Sequence, residues 1–153
     1  MKALTLLQPW AQLVAVGAKH YETRSWSRDY TGPLAIHAAA AIPGPAKTFA
    51  RTALVRASLR GLASEDLPLG QVVAVCSMLR CVPTSSLIAA FLPGDESSFG
   101  DFTRGRYAFI LVSVRQLSQP IPARGRLSFW EWEPPSFLPP EDEAALRSVG
   151  VSR

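Results

Sequence analysis

The chain has 153 residues, of which 48% are hydrophobic and 18% charged, and a formal net charge of +4. That length supports one domain with a proper core, and the hydrophobic content excludes a disordered chain. No apolar run approaches the ~20 residues of a membrane-spanning helix, and the basic excess, mostly arginine spread along the sequence, leans mildly toward an acidic partner such as nucleic acid.

Taken in order, Ala3 to Leu7 reads as a first strand leading into a short helix at Pro9. Proline suits the first helical position, where a missing N–H costs nothing. Trp10, Leu13 and Val14 recur at i, i+3 and i+4 and give that helix one apolar face, so Trp10 is expected in the core. Gly17 supplies the left-handed stop that a helix end favours. Lys19 to Ser25 follows as a strand whose alternation puts His20, Glu22, Arg24 and Trp26 on one face and Lys19 on the other.

Asp29 to Pro33 is a turn, and Leu34 to His37 a short buried strand. Ala46 to Arg60 reads as one helix, with Phe49, Ala53, Leu54 and Ala57 on a common face and Gly61 as its stop. Gln71 to Val82, opening Gln-Val-Val-Ala-Val, carries the strongest strand signal. Thr84 or Ser85 caps a short helix reaching Phe91, and residues 93–101 form a loop rich in glycine, serine and acid. Arg106 to Gln116 is a strand apolar on both faces, as a central strand requires, and Leu127 to Trp132 is the last strand. Prolines at 134, 135, 139 and 140 mark a tail with a short helix near Glu141 to Arg147.

The two cysteines, Cys76 and Cys81, fall on one predicted strand. Five residues at ~3.3 Å each hold them on the order of 16 Å apart, beyond the roughly 4.4–6.8 Å of a disulfide. Two cysteines and two histidines show no zinc-ligand spacing, so neither a metal nor a cofactor is expected. Residues Met1 to Leu4 lack a signal-peptide pattern, and a cytoplasmic, reducing location is the simplest expectation.

The chemistry concentrates just past the Gly17 turn, where Lys19, Glu22 and Arg24 crowd between Tyr21 and Trp26. Such a group is either a solvated strand edge protected by charge or a site. Lys19 offers a base or nucleophile if desolvated, or a charged donor if paired; Glu22 beside it stabilises the ammonium, which favours the donor. Glu22 serves as a general base, as an acceptor for a nucleobase edge, or as a partner for Arg24. Arg24 has the fork that suits phosphate or carbonyl groups. Trp26 offers a stacking surface, as does Trp10 unless the core takes it up; His37 is a core histidine or a ligand, and Arg104 and Arg106 extend a basic rim or are ordinary loop arginines. No base partners Ser77 or Thr23, so a hydrolase triad is not supported.

Gln8-Pro9-Trp10, Gly17-x-Lys19-x-x-Glu22-x-Arg24-x-Trp26, Gly32-Pro33 and His37-Ala-Ala together resemble the opening of an ASCH domain, a family of the PUA-like superfamily of small β-barrels. Gly100-Asp101-Phe102 with Gly105 to Phe109 resembles the late strand of bacterial members, and Pro120 to Pro122 with Arg124-Gly125 and Leu127 to Trp132 resembles their closing strand. The resemblance implies an α+β fold, a small PUA-like β-barrel with flanking helices over residues 1–133, followed by a proline-rich C-terminal tail over 134–153.

It further implies a cleft at the barrel mouth lined by Lys19, Glu22 and Arg24, with Gln8 and Trp26 as neighbours and His37 and Arg106 as further ligand-binding candidates. The implied partner is RNA, another single-stranded nucleic acid, or a modified nucleoside, with no membrane. The implied alternatives are a small amidohydrolase acting on acylated cytidine-type nucleosides, or a metal-independent ribonuclease, working from Lys19 and Glu22. The first of these needs a lysine, a threonine three residues on and a distant glutamate; here Glu22 holds the threonine's place and the strand Gln71 to Val82 carries no acid. A coactivator-type interaction module is the remaining alternative.

Overall fold

The structure, a computed structural model, describes residues 1–151. Six strands form one sheet: β1 (Lys2–Leu6), β2 (Tyr21–Arg24), β3 (Gly32–Ala38), β4 (Gln71–Pro83), β5 (Tyr107–Pro122) and β6 (Phe129–Glu131), in the spatial order β2-β5-β4-β3-β1-β6. Only the β1–β3 pair is parallel among these neighbours. A parallel pair needs a crossover, and here it carries α1 (Trp10–Ala15) and then β2, which pairs instead with β5.

The strong strand at Gln71 is the observed β4, and β5 is a central strand that outruns its predicted end by six residues, to Pro122. The sheet curls into a half-barrel. Trp26, just past β2, meets Phe129 of β6 edge-on at 6.1 Å, although β2 and β6 are opposite edges of the sheet. The Arg24 guanidinium completes the approach by donating to the Thr5 carbonyl at 2.9 Å, just past the stretch of β1 that β6 covers.

Both faces of β1, β3 and β4 are buried. Leu4, Leu6, Leu34, Ile36 and Cys76 face the barrel interior with Phe109 and Leu111, under α1. Ala3, Ala35, Val72 and Val75 face the other way, where Leu138, Ala145, Leu146 and Val149 cover them together with Trp130 and Trp132. Leu138, Ala145, Leu146 and Val149 flank or belong to α5 (Pro140–Ser148), the helix of the proline-rich segment. Asp142 of α5 is itself buried, accepting from the Ser118 backbone N–H at 2.7 Å and its hydroxyl at 2.9 Å.

The expected single helix over 46–60 is two. The structure breaks it into α2 (Gly44–Ala50) and α3 (Ala53–Ser58), because the Thr52 hydroxyl caps α3 by accepting from the Val55 N–H. The short helix expected from Thr84 to Phe91 is two 3-10 turns, Thr84–Ser86 and Ala89–Phe91. The loop expected over 93–101 contains α4 (Glu96–Phe99). Among the described residues no helix is long and apolar enough to cross a membrane. Both cysteines are free, and burial pushes the Cys76 thiol up to about 12.

Candidate functional site

The site begins with how β2 is held. α1 ends at Val16, Gly17 takes φ +76°, and the backbone N–H groups of Ala18 and Lys19 both bond to the Leu13 carbonyl. This turns the chain so that Lys19 enters the protein with no exposed surface. Its ammonium donates to the Tyr21 carbonyl and lies 3.4 Å from the Glu22 carboxylate. From the opposite side, Glu96 at the start of α4 accepts from the backbone N–H of His20 and, at 3.3 Å, from that of Tyr21. Burial raises the Glu96 pKa, partly offset by the His20 N–H bond and the nearby Lys19 charge.

So anchored, β2 presents Glu22, Thr23 and Arg24 to a cavity of about 750 Å³ at the barrel mouth. Glu22 spans two cations, since its second oxygen is 2.9 Å from the Arg24 Nε. Across the cavity, Trp10 stacks on Phe49 of α2 at 5.2 Å and 14°. The loop after α4 closes a third side: the Thr23 hydroxyl accepts from the Asp101 N–H at 3.0 Å, and Asp101 lies 3.3 Å from the Arg106 guanidinium. Hydrogen bonds from Thr103, with the Arg106 charge, hold the Asp101 carboxyl below the usual carboxylate range. The fourth side is the segment 126–128, which brings Arg126 and the almost fully exposed Leu127.

Of the site candidates singled out from the sequence, Trp10, Glu22, Arg24 and Arg106 come together here. The others do not line the cavity. Lys19 lies beneath Glu22. Gln8 is wholly buried, its side chain accepting from the Gln12 N–H at 3.0 Å and donating to the Pro68 carbonyl at 2.9 Å, which fixes α1. Trp26 packs edge-on against Phe109 at 5.2 Å, with Arg24 over its ring at 5.9 Å, so it supports Arg24 from behind.

His37 is a core histidine. Burial lowers its pKa, and the neutral ring donates from Nε2 to the Ala123 carbonyl at 2.9 Å while meeting Trp130 edge-on at 5.6 Å. Glu22 and Arg24 share one face of β2, as alternation predicts, and pair there at 2.9 Å; the strand runs in unbroken register against β5, and Thr23 also reaches the cavity wall.

Trp10, assigned to the core by its periodicity, is a wall of the cavity instead, because α1 turns that face toward α2. Phe49, Asp101 and Arg126 are further cavity residues. For Arg126 the signal was its neighbour: a Cβ on Gly125 would lie 2.5 Å from His37 Cε1 and 2.9 Å from the Thr5 hydroxyl, so the backbone there needs glycine to pass so close. Among the described residues no group of three or more His, Cys, Asp or Glu side chains is placed to hold a metal ion.

This architecture has known counterparts. The crystal structure of the ASCH protein from Zymomonas mobilis superposes with a TM-score of 0.50 at 16% identity, covering 97% of this chain and 94% of that one. A point mutant of the same protein gives 0.50 at 15% identity, covering 97% and 96%. In sequence, the human and mouse proteins called Activating signal cointegrator 1 are each 28% identical over 131 residues, or 84% of this chain. The chain spans about a fifth of the length of these curated relatives, 22%. The ASCH domain matches residues 4–93, which takes in most of β1, the whole of β2 to β4 and the buried Lys19, and the chain belongs to the ASCH domain family.

Proposed function

We propose that this chain binds single-stranded nucleic acid, RNA in the first instance, or a modified nucleoside, in the cavity bounded by β2, α2 and residues 126–128. One observation carries this: a single cavity joins the guanidinium groups of Arg24, Arg106 and Arg126 to a stacked Trp10–Phe49 wall. At about 750 Å³ it has the volume of a small-ligand site. The aromatic wall suits a base face, worth about 1–3 kcal/mol per stacked base. Arginine forks suit phosphate, and the Glu22 and Asp101 carboxylates suit exocyclic amino groups on a base edge.

An amidohydrolase acting through Lys19 needs that amine at the cavity surface, whereas it is enclosed beneath Glu22 with its ammonium committed to the Tyr21 carbonyl. A protein-interaction module is the second reading, favoured by the identity with the two cointegrators and by Ile88 and Phe91, exposed at 63% and 81%.

Fluorescence anisotropy with labelled RNA, DNA and modified nucleosides, scored also for product, tests this. Binding without turnover is expected, with affinity falling steeply as salt rises. Arg126→Ala should weaken binding and flatten the salt slope by ~0.7, one single-strand phosphate contact. Arg51→Ala, whose guanidinium meets Glu65 at 2.7 Å on an exposed face away from the cavity, should change nothing. Equal losses from the two variants would mean that binding follows net charge and that the cavity is not the site.

A further inference from the structure

The start of β5 divides two cavities: Arg106 lines the one just described, and the next residue, Tyr107, lines another of about 290 Å³. Arg28, Asp29 and Tyr30 from the turn after β2 face Arg80 and Cys81 at the end of β4 across this second cavity. Among the described residues neither Arg28 nor Arg80 forms an ion pair. With Asp29 the lone carboxylate on its wall, the cavity is electropositive.

The two cavities share a foundation. Arg24, in the first, lies over Trp26 at 5.9 Å; Trp26 meets Phe129 at 6.1 Å; Arg28, in the second, lies over Phe129 at 5.5 Å. One aromatic cluster thus carries a guanidinium of each cavity. Arg28 is four steps along the chain from Arg24, a span of at most ~14 Å. The two small residues on that path, Ser25 and Ser27, are exposed, and β2 is a sheet edge with no strand beyond it.

We infer that the second cavity is a phosphate subsite, in which Arg28, Arg80 and Tyr107 grip the backbone of the same single strand as it leaves the main cavity around the β2 edge. The inference rests on the nucleic-acid reading of the main cavity and extends it from one nucleotide to a track. Two unpaired guanidinium groups supply charge-assisted donors for phosphodiester oxygens, and the tyrosine supplies a hydroxyl or a ring face. Because the contacts are to backbone, they add affinity and orientation without reading sequence.

The test compares oligouridylates of ~4 and ~12 nucleotides, lengths that bracket one and two subsites. Arg80→Ala, at an exposed position, should weaken the longer oligonucleotide on the order of threefold or more at moderate salt and leave the shorter one unchanged, while Arg126→Ala weakens both. Cys81 gives an independent readout. It lines the second cavity, whereas Cys76 is fully buried with its thiol pushed up to about 12, so iodoacetamide reports on Cys81.

The longer oligonucleotide should slow that alkylation and the shorter one should not. If Arg126→Ala weakens both lengths while Arg80→Ala discriminates neither and Cys81 stays reactive, the second subsite is overturned and the main cavity stands. If Arg126→Ala is silent while Arg80→Ala weakens binding and Cys81 is protected, the phosphate subsite stands and the main-cavity reading falls. Failure of both lengths to bind overturns the two together.

Discussion

Lys19 and Glu22 form an ion pair inside the protein, with Nζ and Oε2 3.4 Å apart, the lysine wholly enclosed and the glutamate 8% exposed. An enclosed ammonium is tolerable only with its anion and hydrogen bonds in place, so this pair ties the cavity wall to the core of the fold. An acid among aromatics past a glycine turn looks free for ligand chemistry in sequence; here it also neutralises a buried charge.

Glu22→Gln should therefore destabilise the protein by about 3 kcal/mol, the lower end of the cost of breaking a buried pair, because Glu96 and the Tyr21 carbonyl still face the ammonium. Lys19→Met in the same background should recover part of that loss, since it removes the stranded charge. Urea denaturation of the two single variants and the double variant measures the coupling. Strict additivity would show that the pair does not interact.

Glu96 gives stability a pH dependence of unusual sign for a carboxylate. Burial raises its pKa in the folded state, so from the unfolded value near ~4.3 upward the folded protein holds this proton more tightly than the unfolded chain does. Its contribution is complete below that value and is lost as pH rises through the raised one. Glu96→Gln should flatten this component, so that wild type loses stability relative to the variant as pH climbs through that window. Urea midpoints at successive pH values decide it; a wild type that gains on the variant over the same window would reverse the assignment.

Gly125→Ala places a methyl group 2.5 Å from His37 Cε1 and 2.7 Å from Nδ1, on a ring already fixed by Ala123 and Trp130. The ring has no room to retreat, so a loss of about 1–3 kcal/mol is expected. The displaced segment carries Arg126 and Leu127, so ligand binding should weaken in the same variant. A thermal melt and a titration, run together, check both effects.

Asp142→Ala removes the acceptor for the Ser118 N–H and hydroxyl in a buried setting. A cost of about 1–3 kcal/mol follows from the unsatisfied donors. The loss should appear as faster hydrogen exchange in α5 and the middle of β5, with the cavity at the barrel mouth unaffected.

The sequence made the strands legible where burial on both faces left only apolar residues, as in Val72 to Cys76, and made α1 legible through Pro9 and Gly17. It hid what depends on contacts far along the chain. Thr52 interrupts a good helical pattern through one side-chain bond that periodicity does not register. Glu96, in a stretch that reads as loop, becomes an anchor only because β2 passes in front of it. The site was half visible for the same reason. Glu22 and Arg24 carry a local motif, while Trp10 joins them because α2 lies opposite and Arg126 because Gly125 lets a distant segment approach. Lys19, His37 and Gln8 have the chemistry of ligands and the surroundings of supports.

The pairing of β1 with β6, Lys2 opposite Glu131 and Ala3 opposite Trp130, has a consequence during synthesis. Among the strands of this sheet β1 is made first and β3 soon after, but the strand for its other edge is made last. At ~5–20 residues per second the wait is on the order of ten seconds. Throughout it, the nascent chain holds a half-paired apolar strand with a row of open backbone groups, a template for any neighbouring extended chain. On a polysome translating this message the nearest such chain is another copy, so close spacing of ribosomes raises the risk of misassembly.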